Sequence, residues 1–163
     1  MSQESEKQLP IPEWILQKAQ SYCAYQERSI REVRRHLQKF QIQDEMVDKV
    51  IGQLLEDDFL NEERLAVTYA SGKLRINHWG RNKIYKGLQQ KGVPELFIQH
   101  GINSLDEDEY RRILRDILRR KLLSLNDADP RRKYQKLVTF ATGRGFEVSL
   151  ASEVARNLIG AVS

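Results

Sequence analysis

Residues 29–54, SIREVRRHLQKFQIQDEMVDKVIGQL, decide the fold. Ser29 and Glu32 stand at the spacing of a capping box, in which the hydroxyl accepts from a free helical N–H and the carboxylate returns to the cap's own N–H. Behind them Ile30, Val33, Leu37 and Phe40 recur at three and four residues. That is one apolar helical stripe, with Arg31, Arg35, Gln38 and Lys39 left to face water. A second helix over about 44–57 places Val47, Val50, Ile51, Leu54 and Leu55 inward. Pro12 precedes an earlier helix running to about Tyr25.

Shifting the sequence by 51 residues superimposes this block on another. Val33 falls on Ile84, Leu37 on Leu88, Ile42 on Val93, Val47 on Ile98, Ile51 on Ile102 and Leu54 on Leu105, while Ser29 falls on Gly80, also an acceptable N-cap. Helices are expected over about 80–90 and 94–104, preceded by one over about 61–76. A looser third copy follows at a shift of 53, where Gly92-Val93 meets Gly145-Phe146 and Ile84 meets Leu137. Asp106 and Glu109 read as another capping box, opening a long helix whose buried stripe is Ile113, Leu114, Ile117, Leu118 and Leu122. Two more helices are expected near 130–141 and 149–159. The predicted architecture is all-α, about nine helices in an elongated, slightly curved array of three tandem three-helix repeats. Its expected bounds are a disordered lead over 1–12 and repeats over 13–60, 61–105 and 106–163.

A chain of 163 residues, 40% of them hydrophobic, can bury one continuous core but leaves no room for a long multidomain enzyme. No apolar run approaches the roughly 20 residues that span a bilayer, and the polar N-terminus does not read as a targeting peptide, so a cytoplasmic location is expected. Cys23 is the single cysteine. It rules out an internal disulfide and offers no cysteine pair to zinc.

The net charge of +4 is unevenly spread. From Lys73 to Pro94 there are six basic residues and no acidic one, interleaved with Trp79 and Tyr85. Such a composition suits phosphate contact with stacking, although a solvated helical face would produce it too. With Ile84 and Leu88 inward, Lys83, Lys86 and Gln90 are expected on the opposite side, with Trp79 packing inward as a staple or projecting. Lys83, Lys86, Arg81 and Lys91 are therefore the first candidates for partner or DNA contact, with Arg75 beside them. A second run holds Arg111, Arg112, Arg115, Arg119, Arg120 and Lys121, and a third Arg131, Arg132, Lys133 and Lys136. From these Arg111, Arg115, Arg119 and Arg132 join the candidates, as does Arg144; base toward the end of a helix also complements its dipole.

Catalysis and metal binding have no constellation to rest on. Glu56, Asp57, Asp58, Glu62 and Glu63 fall at a helix end and the next helix start, where capping and solvation account for them. His36, His78 and His100 lack partners at ligand spacing, and Gly143-Arg144-Gly145 lacks the lysine, serine or third glycine of a phosphate loop and reads as a helix stop. No cofactor and no metal is expected.

Three stretches carry a family resemblance. They are Arg28-Ser29 with Glu32-Val33-Arg34 and Leu37; Phe59-Leu60-Asn61-Glu62-Glu63-Arg64-Leu65-Ala66 continuing through Trp79-Gly80 to Leu88 and Lys91-Gly92-Val93; and Phe140 with Gly143-Arg144-Gly145-Phe146. In these the chain resembles the RecX family, regulatory proteins of the RecA recombinase, over about residues 20–160. The resemblance implies three three-helix repeats and no enzyme activity. It further implies binding to RecA and to RecA–DNA filaments in the helical groove, with ATP hydrolysis, strand exchange and coprotease function blocked and disassembly promoted. A monomer is expected, with direct contact to single- or double-stranded DNA open. The rival reading from the residues alone is a stand-alone helical DNA-binding protein or transcription regulator.

Overall fold

The computed structural model describes residues 10–162, and every regular element among them is helical. In chain order these are α1 Glu13–Tyr25, α2 Ile30–Gln38, α3 Asp44–Glu56, α4 Glu62–Arg75, α5 Arg81–Gln90, α6 Glu95–Asn103, α7 Glu107–Ser124, α8 Pro130–Gly143 and α9 Val148–Val162. None is long and apolar enough to cross a membrane. The helices group in threes, as the repeated sequence block requires, and fall into two compact units divided after Glu62.

In the first unit, α1–α3 enclose Ile15, Ala19, Val33, Leu37, Val47, Val50, Ile51 and Leu54, with Cys23 and Leu60. Full burial of a Leu, Ile or Val side chain contributes about 1.5–3 kcal/mol, so these stripes carry the stability of the unit. The capping box forms in full: the Ser29 hydroxyl accepts from the Glu32 N–H at 3.1 Å and the Glu32 carboxylate accepts from the Ser29 N–H at 3.2 Å. Leu55, placed inward by periodicity, is 43% exposed, because α3 has no neighbour on that side within its unit. Of the expected lead, residues 1–9 lie outside the described part. Ile11 packs against the first core, and the Pro12 carbonyl starts α1 by accepting from the N–H groups of Ile15 and Leu16.

The second unit holds the second and third repeats around one shared core, in which Leu65, Leu74, Ile84, Leu88 and Ile98 join Tyr110, Leu114, Leu118, Leu137 and Phe146. The repeat is visible in the backbone as well. The turn after the middle helix of each repeat passes through the left-handed region, at Gln41 (φ 56°), Gly92 (φ 79°) and Gly145 (φ 94°). The helix stop expected at Gly143-Arg144-Gly145 is therefore the third instance of one recurring turn.

Two corrections concern acids. Asp106 caps α7 by accepting from the Glu109 N–H at 2.9 Å, but Glu109 makes no reciprocal bond; its carboxylate is held by the Arg75 guanidinium at 2.6 and 3.2 Å. Glu62, expected to be solvated, is buried, and burial raises its pKa against the lowering effect of the Ile30 N–H that it accepts from. Glu56, Asp57, Asp58 and Glu63 are exposed as expected.

Candidate functional site

The α4–α5 segment assembles its basic and aromatic residues by local geometry. Tyr69 and Lys73 are four residues apart on α4 and share a face. His78 takes a left-handed conformation (φ 56°), and the Trp79 N–H donates back to the Lys73 carbonyl at 3.0 Å, folding the indole over the end of α4. Lys83 follows Trp79 by four residues. The outcome is an alternating row. The Lys91 ammonium lies 5.7 Å from the Tyr69 ring centroid, Lys73 lies 5.3 Å from Tyr69 and 4.7 Å from Trp79, and Lys83 lies 4.6 Å from Trp79. Tyr69 reaches this position because residue 87 is glycine. A Cβ there would sit 2.1 Å from the Tyr69 hydroxyl.

Both rings of the row are half-buried, packed against the second core by one edge. Lysines at such distances interact with the ring faces while their ammonium groups stay within reach of an incoming anion. Lys86 adds an exposed charge on α5, whereas Lys83, expected beside it on the outer face, is drawn sideways against Trp79, its Cβ close to Gly145. Tyr85, expected to interleave with the cations, instead donates to Glu95; that bond raises the Tyr85 pKa and lowers that of Glu95. Tyr69 and Lys73 are the members that sequence reading did not select.

Several candidate arginines are taken up by carboxylates of the same chain. Arg81 is bonded to Glu107 and, at 3.0 Å, to Glu147, with its guanidinium 3.8 Å from the Tyr110 ring centroid. Burial alone would lower the Arg81 pKa, but the Glu107 bond and the Glu147 charge outweigh it and the value is raised. Arg75 is bonded through two nitrogens to Glu109, and Arg111 pairs with Glu107 at 3.3 Å and Glu153 at 3.5 Å. Their charges are largely compensated, which makes them poor phosphate ligands in this arrangement.

The third repeat contributes a smaller group. Lys121 and Arg144 lie 5.2 and 5.0 Å from the Phe140 ring centroid, and Arg144 donates to the Asn77 carbonyl, beside the loop that carries Trp79. Lys121, Arg132, Lys136 and Phe140 line a groove of about 620 Å³ between α7 and α8. Arg132 is 4.0 Å from Asp129, a distance too long for a strong pair, and Arg115 and Arg119 are exposed on α7. No group of three or more His, Cys, Asp or Glu side chains among the described residues could hold a metal.

Residues 16–54 match the family model for the first three-helix domain of RecX, and residues 61–102 match the model for its second three-helix domain. The chain belongs to the RecX family. The row from Tyr69 to Lys91 lies wholly within the second matched domain. The regulatory protein RecX of Bacillus cytotoxicus is 33% identical over 89 residues, 55% of this chain and 33% of the relative. That of Lactobacillus johnsonii is 35% identical over 95 residues, 58% and 35% of the two chains. The match thus spans about a third of the length of these curated relatives. The crystal structure of RecX from Lactobacillus salivarius superposes with a TM-score of 0.82 at 18% identity, covering 89% of this chain and 94% of that one. A second RecX crystal structure gives 0.75 at 20% identity, with 86% and 72% covered. The fold of three tandem three-helix repeats is therefore the RecX fold.

Proposed function

We infer that the chain is a non-catalytic regulator of the RecA recombinase, binding the recombinase and its DNA filament in the helical groove as a monomer. ATP hydrolysis, strand exchange and coprotease activity are suppressed as a result. The observation that carries this reading is the Lys91–Tyr69–Lys73–Trp79–Lys83 row within the RecX-matched segment. Rigid rings between flexible cations form a surface for DNA phosphates or acidic recombinase patches, and the shared core behind α4 and α5 holds it in place. Lys86 extends the surface on α5. Arg132 and Arg144 carry it onto the α7–α8 side of the third repeat, with Arg119 exposed on α7 and Arg115 on the α9 side of that helix, while Arg75, Arg81 and Arg111 act by keeping helices in register.

The test is the rate of ATP hydrolysis by the host recombinase on single-stranded DNA as this protein is titrated in, with DNA in excess so that competition for free lattice cannot act. Inhibition at substoichiometric protein supports direct action on the filament. Full ATPase activity at equimolar folded protein would refute it and leave the stand-alone DNA-binding reading.

A further inference from the structure

The third repeat leaves open a face that the second repeat closes. In the second, the start of α5 receives α7 and the turn before α9. Arg81 is bonded to Glu107 and Glu147, its N–H donates to the Tyr110 hydroxyl at 3.0 Å, and the Asn82 N–H donates to the Gly145 carbonyl at 2.9 Å. The shift of 53 that sets Ile84 on Leu137 sets Arg81 on Tyr134 and Asn82 on Gln135. Among the described residues no further helix covers these two positions of α8, and they line a groove of about 660 Å³ between α8 and α9.

The floor of the groove is apolar. Pro130 and Tyr134, one turn apart on α8, lie across from Ile159 and Gly160 on α9, and Tyr134 and Ile159 are half-buried, each packed by one side on the second core. Gly160 deepens the groove, since a Cβ there would meet nothing within 4 Å. The rims are cationic. Arg131 on α8 and Arg156 on α9 are exposed, and among the described residues neither guanidinium is paired with a carboxylate. A further repeat of the same kind does not fit here. The second and third repeats close backbone to backbone through Gly80 and Gly145, and the shift of 53 sets Lys133, with its side chain, where Gly80 would have to be. What the second repeat receives is the start of a helix: Glu107, the first residue of α7, on Arg81, with Tyr110 buried one turn on. The uncompensated Arg131 and Arg156 ask for the same chemistry. Carboxylates in a first helical turn meet the two guanidinium groups and also favour the helix dipole, and the apolar side chains behind them cover the floor.

We propose that the α8–α9 groove docks an amphipathic helix of a partner protein, its acidic first turn held between Arg131 and Arg156 and its apolar stripe laid on Tyr134 and Ile159. The groove is distinct from the basic one between α7 and α8 and from the row on α4 and α5, and the proposal rests on no part of the recombinase reading.

The test is the fluorescence anisotropy of a labelled synthetic peptide with the sequence of residues 106–124, α7 with its cap, titrated with the whole protein. The peptide carries the acidic turn and the apolar stripe yet is nearly neutral as a whole, so attraction to a basic protein is no sufficient cause of binding. Gly160→Phe fills the groove from a helical position that has room for a side chain, and Arg131→Glu/Arg156→Glu reverses both rims. Each is expected to raise Kd about tenfold or more, with helical circular dichroism unchanged. A Glu107→Gln/Asp108→Asn/Glu109→Gln peptide should bind the native protein about tenfold more weakly, and Lys73→Glu/Lys83→Glu protein should bind the original peptide as the native protein does. Failure of the native protein to bind the peptide overturns the proposal, as does an unchanged Kd in Gly160→Phe. A loss found only with Lys73→Glu/Lys83→Glu would move the peptide to the row and overturn it equally. Self-association of the native protein in sedimentation velocity, abolished by Gly160→Phe, would give the groove to a second copy in place of a partner helix and overturn it as well.

Discussion

The N–H of Gly80, the residue that caps α5, donates to the carbonyl of Arg144 at 2.8 Å. The next contact in the same junction runs from the Asn82 N–H to the Gly145 carbonyl at 2.9 Å. The α4–α5 loop and the turn after α8 are thus joined backbone to backbone, which only a residue without a side chain permits. A Cβ on Gly80 would lie 2.3 Å from the Phe146 nitrogen, and one on Gly145 2.3 Å from the Lys83 Cβ.

Gly80→Ala should therefore destabilise the protein by about 2 kcal/mol or more, because backbone has to shift to admit the methyl group. Gly72→Ala provides the opposite sign. Nothing lies within 4 Å of a Cβ there, so on α4 the change should stabilise by about 0.5–1 kcal/mol through helix propensity. Urea denaturation of the two proteins checks both, and a neutral Gly80→Ala would remove the junction from the account.

Tyr110 ties the same region together from below. Its hydroxyl donates to Glu147 at 2.6 Å and accepts from the Arg81 N–H at 3.0 Å, one of the free amides at the start of α5. Burial first, then the Glu147 bond, raises its pKa, so the phenol stays protonated and able to donate. Tyr110→Phe removes both bonds without opening a cavity and should cost about 1–3 kcal/mol. The expected signature is a lower denaturation midpoint with an unchanged slope against urea.

Acid should weaken the second unit in a defined way. The Arg81 bond holds the Glu107 pKa below the usual carboxylate value, and the Arg75 bond does the same for Glu109. A carboxylate with a depressed folded-state pKa stabilises above the unfolded value, about 4.3, and loses that contribution as pH falls through the folded one. Between about pH 6 and about pH 3 the urea midpoint of the native protein should fall more steeply than that of a Glu107→Gln/Glu109→Gln protein. Parallel curves would show that the two pairs contribute nothing to folding.

What could be read from the sequence was what short-range chemistry dictates. The Ser29–Glu32 box, the inward placement of Val33 and Leu37, and their echo in Ile84 and Leu88 all depend on residues within one turn or one repeat. The basic segment was legible for the same reason, since six cations without an acid stand out in any window. The fate of each charge was not. Arg81 finds its carboxylates on α7 and before α9, Arg75 takes Glu109 away from its expected cap, and Tyr69 enters the row only because Gly87 leaves room on a different helix.

Charge reversal within the row tests the central claim most directly. Lys73→Glu/Lys83→Glu should leave helical circular dichroism unchanged and lower the melting temperature only modestly, since what is lost from the fold is cation–π contact worth about 0.5–1 kcal/mol each on half-buried rings. About tenfold more of this protein than of the native one should be needed to halve recombinase ATP hydrolysis on single-stranded DNA. Equal inhibition by the two proteins would contradict the account and place the regulatory surface elsewhere on the chain.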